Sequence, residues 1–284
     1  MVQENNYKIE DFDKEVLREY DIRGIVGKNI NENTAYTIGR TFGYTVKSKL
    51  QSNNIVTGYD GRLTSPVLHR ALCEGLKDSG AKVINVGMGP TPMIYFADYF
   101  LNTNAAVMVT GSHNPSEYNG FKMVFNKHSF FANDIQSLQK LIDNNELELL
   151  EGHIIKKNII QNYIDRDLSN INLTRELKIA WDIGNGAMGT VIKKMTEKLS
   201  NSKNIIINEE VDGNFPNHHP DPTVPENMQQ LIKSVKENNC DLGLAFDGDG
   251  DRLGVIDNLG NIVWADQYML VLCSEISKLY QNPK

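Results

Sequence analysis

"NIVTGYDGRLTSPVLHRALCEGLKDSGAKVINVGMG" (54–89) decides the fold. Residues 54–60 form a β-branched apolar run that stops at a turn, 65–80 read as a helix with Gly80 as its stop, and 81–89 read as the next strand. That is a βαβ unit, which predicts parallel strands with a helix across them. The pattern continues downstream with a helix in "TPMIYFADYFLN", and then "AAVMVTGSHNP", whose continuous apolar run predicts a strand buried on both faces. "FKMVFN" reads as a further strand and "ANDIQSLQKLIDNNELELL" as a helix running to residue 150. After the connection "EGHIIKKN" the alternation restarts: helix 159–170, strand "LKIAWDIGNG", helix "AMGTVIKKMTEKLS", strand "NIIINEE", helix "PENMQQLIKSVKENN" and the closing "DLGLAFDGDGDRLGVID".

The expected fold is therefore α/β, with two consecutive domains of similar βαβ plan and mixed, mostly parallel sheets. The boundaries fall at residues 1–157 and 158–260. Residues 261–284 ("NIVWADQYMLVLCSEISKLY" and its tail) add one strand and one helix, too little for a third core. They are read as the start of an incomplete third domain.

A length of 284 residues with 40% hydrophobic content suits two buried cores. The net charge of −7 opposes general binding to nucleic acid or anionic membrane. The three cysteines, Cys73, Cys240 and Cys273, are far apart and lack metal or disulfide spacing. With neither a secretory leader pattern nor a long apolar span, the expected location is the cytoplasm.

The chemistry concentrates in "DGDGDR" (247–252), set between two apolar runs. Asp247, Asp249 and Asp251 crowd one short turn, and bare carboxylates that close raise one another's pKa. A divalent cation resolves the conflict; hard oxygen ligands select magnesium, calcium or manganese. An EF-hand fits badly, because position six is Arg252, position twelve is Asn258 and the flanks read as strands. The plainer alternative is a solvated acidic turn, since Asp-Gly pairs are ordinary turn formers. Arg252 adds an anion-binding fork, so cation and arginine together suit a phosphate. Ser112, in "VTGSHNP" at the C-terminal end of an expected parallel strand, could accept a phosphoryl group. Its neighbour His113 does not make a hydrolase motif, because the G-x-S-x-G elbow is absent. Taken alone, the Ser-His-Asn-Pro turn reads as structural. His218 and His219 read as members of a surface loop rather than as metal ligands, and Gly184 and Gly186 as aids to tight strand-to-helix packing.

Five stretches in order, "EYDIRG" (19–24), "TGSHNPSEYNGFK" (110–122), "DIGNGA" (182–187), "DGNFPNHHPDP" (212–222) and "DGDGDR" (247–252), resemble the signatures of the α-D-phosphohexomutases, in the phosphomannomutase/phosphoglucomutase branch. The resemblance implies that Ser112 carries the phosphoserine. It also implies one Mg²⁺ per chain, held by Asp247, Asp249 and Asp251 with an oxygen of the Ser112 group. Lys122 and His113 match proton-transfer positions; Tyr20, Arg23 and Arg252 match residues lining the transfer centre, and Asn114 a phosphate-binding one. The implied reaction moves phosphate between C1 and C6 of mannose or glucose through a glucose 1,6-bisphosphate type of intermediate and activator. For Lys122 to act as a base its pKa must be depressed, with Arg23 as the expected cause. Tyr59 stands where the family commonly has arginine, while Asp60 and Arg62 keep their places.

The resemblance covers two of the family's four domains and the start of a third. On that reading the chain lacks the loops that recognise the sugar and grip its distal phosphate, and by itself it is expected to be a poor mutase. Two rivals accompany it: a non-catalytic phosphosugar- or metal-binding fragment, and a metal-dependent phosphatase using the same serine. No preference between the sugars and no oligomeric state follows from the sequence.

Overall fold

The 54–89 stretch folds as expected, into β2 (Asn54–Tyr59), α2 (Ser65–Asp78) and β3 (Lys82–Met88), with Gly80 taking the left-handed turn at φ +85° that ends the helix. A computed structural model of the chain describes residues 6–50 and 52–279. Residues 1–5 of the first expected domain, and the expected last helix from Tyr280 onward, lie outside the described residues.

Around this unit a first sheet runs in the order β1 (Ile22–Ile25), β5 (Tyr118–Phe125), β4 (Ala105–Val109), β2, β3, β7 (His153–Lys156), with the short β6 (His128–Ser129) beside β5. β4, β2, β3 and β7 are parallel, whereas β1 and β5 join antiparallel. Every residue of β4 is buried, and its pleat shows why the run had to be apolar throughout. Ala105, Val107 and Val109 face a core shared with α1 (Glu32–Leu50), α2 and α4 (Asn133–Asp143), while Ala106 and Met108 face α3 (Thr91–Phe100) and α5 (Ile160–Leu168).

The second sheet runs β12 (Ile262–Val263), β11 (Leu253–Asp257), β10 (Leu242–Phe246), β8 (Leu177–Asp182), β9 (Ser202–Ile207), with β10, β8 and β9 parallel. α7 (Gln229–Asn238) covers one face and α6 (Ile192–Lys198) the other; α8 (Ala265–Leu279) follows β12 with no buried residue. Both sheets are mixed, which is the expected class. Among the described residues no helix is long and apolar enough to cross a membrane.

The two sheets are not independent bodies. One continuous apolar layer joins Val56, Met93, Ile94 and Met108 of the first to Ile183, Met188 and Ile192 of the second, with Ile159, Tyr163 and Ile164 of the α5 region between them. Burial of this kind holds the relative position of the halves.

Four local readings are corrected. The helix expected to reach residue 150 stops at Asp143, because Arg40 draws the backbone carbonyls of Leu147 and Glu148 to its Nη2 at 3.1 and 2.9 Å. The connection "EGHIIKKN" contains an edge strand, β7, paired with β3. The single helix expected from Ala187 is a 3₁₀ turn at Ala187–Thr190 followed by α6. α1 and β1, in a stretch with no assigned element, add a long helix and an edge strand.

Candidate functional site

The site lies where the C-terminal ends of the parallel strands in the two halves meet. After β4 the chain turns through Ser112, which is 1% exposed and holds a left-handed backbone at φ +49°. That conformation costs a non-glycine residue about 1–2 kcal/mol, so the surroundings must impose it. After β10 the chain turns through Asp247–Asp251 and arrives against the same residue. Ser112 Oγ donates to Asp247 Oδ2 at 3.0 Å and lies 3.2 Å from His113 Nδ1. A Cβ on Gly248 would stand 2.6 Å from the Ser112 carbonyl oxygen, so only glycine lets the acidic loop come this close. Thr91, in the first turn of α3, donates its amide to the Asp249 carbonyl at 2.8 Å and its hydroxyl to Asp249 Oδ2 at 2.5 Å. The acidic loop is thus built into the first half; a solvated hairpin it is not.

The three carboxylates offer oxygens within 4.8 Å of one another, with Asp247 and Asp249 buried and Asp251 exposed. Burial and the charges of Asp249 and Asp251 push Asp247 well above the ordinary carboxylate range, with Lys122 only partly offsetting them. Burial also works against ionised Asp249, but the Lys122 ammonium and the Thr91 hydroxyl hold it below that range. Asp249 Oδ1 is buried and has no hydrogen-bond partner. Three converging hard oxygen donors, one of them orphaned inside the protein, fit a small divalent cation.

Lys122, on β5, reaches Asp249 Oδ2 at 2.7 Å and Asp251 Oδ2 at 2.6 Å. The expectation that its pKa falls is not met: burial pulls it down, yet the two aspartates outweigh burial and raise it above the usual lysine range. Burial, assisted by Arg252 and Arg23, holds the His113 imidazole below its usual range. Arg23 projects from β1 and pairs with Asp21; its Nε is buried without a partner. Arg252 is exposed and lies close enough to influence both His113 and Asp221. Tyr20 is 76% exposed. Asn114 turns inward: its Nδ2 donates to the Gly111 carbonyl at 2.8 Å, closing the serine loop.

His218 is a pin rather than a surface residue, with Nε2 3.0 Å from the buried Asp182 Oδ2. Gly186 packs against the acidic loop, where an added Cβ would meet the Gly248 carbonyl at 2.9 Å, and this replaces the expected strand-to-helix contact. The sequence reading assigned no role to Thr91, Thr110, Asp60 or Arg62. Thr110 opens the serine stretch and Thr91 lies in the first turn of α3, outside the five signature stretches; Asp60 and Arg62 form a buried ion pair at 3.4 Å about 50 residues upstream of the serine. The retained "DGR" (60–62) was the available signal.

Known proteins are similar to this chain in sequence and fold. The model of phosphoglucomutase/phosphomannomutase alpha/beta/alpha domain I matches residues 14–148, and that of domain II matches residues 161–260. The phosphomannomutase/phosphoglucomutase of Pseudomonas putida is 44% identical over 269 residues, covering 94% of this chain and 57% of that protein. The phosphoglucomutase of Neisseria gonorrhoeae is 41% identical, covering 95% of this chain and 58% of its own length. A crystal structure of a phosphoglucomutase/phosphomannomutase family protein from Burkholderia thailandensis superimposes with a TM-score of 0.89 at 38% identity, covering 94% of this chain and 60% of that one. The chain therefore spans a little over half the length of these relatives.

Proposed function

The chain belongs to the phosphoglucomutase/phosphomannomutase family, and from that premise we propose that it carries the phosphoserine and cation-binding half of a hexose-phosphate mutase acting on glucose or mannose phosphates. The observation that carries this reading is the 3.0 Å contact between Ser112 Oγ and Asp247 Oδ2 across the two halves. It puts a buried hydroxyl and a cation-fitting carboxylate cluster in one place. In this reading residues 1–157 and 158–260 are the two domains that form the site, and 261–284 begin a third.

Asp247, Asp249 and Asp251 would hold Mg²⁺, together with an oxygen of the Ser112 group. The cation, when bound, supplies positive charge to the transferring phosphoryl group. The remaining work belongs to side chains. Phosphorylated Ser112 would carry about −1.5 to −2 charge, which Arg23 and Arg252, both near enough to act on the adjoining His113, help to offset. A sugar hydroxyl attacks the phosphorus, the P–Oγ bond of Ser112 breaks, and the hydroxyl proton passes to His113 or Lys122. His113, already below its usual range, is neutral at physiological pH and able to accept it. Lys122, whose ammonium Asp249 and Asp251 hold, would gain that capacity only if those carboxylates were released from it. In the reverse half-reaction Ser112 Oγ takes a phosphoryl group from glucose 1,6-bisphosphate, which is the activator in this reading.

The test is incubation with glucose 1,6-bisphosphate and Mg²⁺, followed by intact mass and a peptide map. A gain of about 80 Da, the mass of one phosphoryl group, on Ser112 and none in Ser112→Ala is expected. Absence of phosphate on residue 112 in a folded, metal-bound protein refutes the reading. Steady release of inorganic phosphate instead of a stable phosphoserine would replace it with a phosphatase.

A further inference from the structure

The left-handed Ser112 has no glycine beside it on the His113 side and no local sequence reason for its conformation. Two buried side chains hold the peptide groups on either side of it. Its N–H donates to Thr110 Oγ1 at 2.8 Å, and Thr110 Oγ1 in turn donates to Asp60 Oδ2 at 2.8 Å, so the direction of that chain is fixed. Its carbonyl accepts from Arg62 Nη2 at 2.8 Å.

The same guanidinium gathers the rest of the loop. Nη2 also donates to the Asn114 carbonyl at 2.6 Å, and Nη1 to those of Pro115 and Tyr118 at 2.7 and 3.1 Å. All four terminal N–H bonds of Arg62 are thus spent on backbone carbonyls between 112 and 118, while Nε faces Asp60 Oδ2 at 3.4 Å. Gly111 makes this possible, because a Cβ there would lie 2.4 Å from Arg62 Nε. The second half covers the guanidinium from outside: the ring of Phe215 lies 5.3 Å from Arg62 Cζ.

We propose that Asp60, Thr110 and Arg62 are positioning residues that lock Ser112 in its left-handed conformation, and that this lock sets the rate of phosphoryl transfer at its Oγ by holding that oxygen beside the acidic loop. The proposal rests on the reading of Ser112 as the phosphoryl acceptor. Arg62 does not touch the reacting atoms. It acts through the loop carbonyls, and a lysine, with three donors on one nitrogen, cannot serve four of them in a plane.

Thr110→Val removes one link of the lock at nearly constant volume, Thr110→Ser retains it, and Arg62→Lys removes the carbonyl clamp. Two readouts are taken: amide hydrogen exchange across 110–118, and the rate of phosphate incorporation from glucose 1,6-bisphosphate with Mg²⁺. In Thr110→Val the loop should exchange about 10-fold faster while β2 and β4 stay protected. Incorporation should slow about 10- to 100-fold at saturating bisphosphate with the half-saturating concentration unchanged, as a small misplacement of a nucleophile predicts. Thr110→Ser should restore both. If Arg62→Lys folds, it should show the same pattern more strongly. Unchanged exchange and rate in Thr110→Val overturn the proposal, as does slowing that only accompanies loss of protection throughout the first sheet. If the unsubstituted chain takes up no phosphate, the functional reading fails, whereas the exchange comparison still decides whether these residues hold the loop.

Discussion

Replacing His69 with glutamine should remove a large part of the acid sensitivity of the first half. His69, on α2, is 3% exposed; its Nε2 lies 3.0 Å from Thr57 Oγ1 and 3.5 Å from Cys73 Sγ, and its ring packs on Tyr59 with centroids 4.8 Å apart. Burial pushes its pKa down to about 3, from 6.5. The unfolded chain therefore binds a proton below pH 6.5 that the folded chain refuses until about pH 3. Stability from this group is complete above pH 6.5 and is lost as the pH falls from there toward 3. At 1.36 kcal/mol per pH unit the whole window is worth about 5 kcal/mol, and the interval from pH 7 to pH 5 about 2 kcal/mol. Against a typical total of about 5–15 kcal/mol that is a large change. Urea unfolding followed by circular dichroism at pH 7, 6 and 5 measures it. His69→Gln retains a polar partner for Thr57 and does not titrate, so its stability should fall less over this interval, by about 2 kcal/mol. Other titrating groups are common to both proteins and cancel in the comparison of slopes. Parallel pH dependences in the two proteins would refute the argument.

Asp247→Asn keeps the shape of the acidic loop while removing the carboxyl whose ionisation burial, Asp249 and Asp251 oppose. Its melting temperature in EDTA should rise by a few degrees, about 1 kcal/mol or more, and the stabilisation by added Mg²⁺ should disappear; a retained Mg²⁺ shift would contradict the ligand assignment. Gly248→Ala forces a Cβ to within 2.6 Å of the Ser112 carbonyl oxygen and should cost about 1–3 kcal/mol in thermal or urea unfolding; an unchanged melting curve would mean the loop does not press on the serine. Ile164→Ala removes a buried side chain from the layer shared by the two halves and should cost about 2–5 kcal/mol. Calorimetry should show one transition shifting as a unit, and two separable transitions would show that the layer does not couple the halves.

How much could be read in advance depended on whether the cause was local. β4 was legible because a strand covered on both faces must be apolar at every position, and its buried run at Ala105–Val109 is the result. The acidic turn was legible because three carboxylates at alternate positions demand an explanation in charge. α1 was not. Its threonines and glycines are weak helix formers, and it is stabilised by packing against α2, with its buried hydroxyls satisfied by back-bonding, Thr41 Oγ1 to the Thr37 carbonyl and Thr45 Oγ1 to the Thr41 carbonyl, each at 2.8 Å. The early end of α4 has a remote cause as well, since Arg40 lies more than 100 residues before the carbonyls it claims. The same holds at the site. Ser112 and the aspartates announce their chemistry by type and spacing, whereas Arg62 and Thr91 become members only through contacts across the fold. The rise in the Lys122 pKa follows from the aspartates that reach it, and no feature of "NGFKMVF" (119–125) encodes them.

The central claim is that one divalent cation unites a serine from the first half with three aspartates from the second. Anomalous diffraction from crystals soaked in Mn²⁺, a stand-in for Mg²⁺ with similar oxygen ligands, tests it directly. One peak within about 2.0–2.3 Å of an oxygen from each of Asp247, Asp249 and Asp251 and of the Ser112 group, with Lys122 Nζ displaced from Asp249 and Asp251, is the expected result. Saturating Mn²⁺ that binds elsewhere, while Lys122 keeps both aspartates, would contradict it.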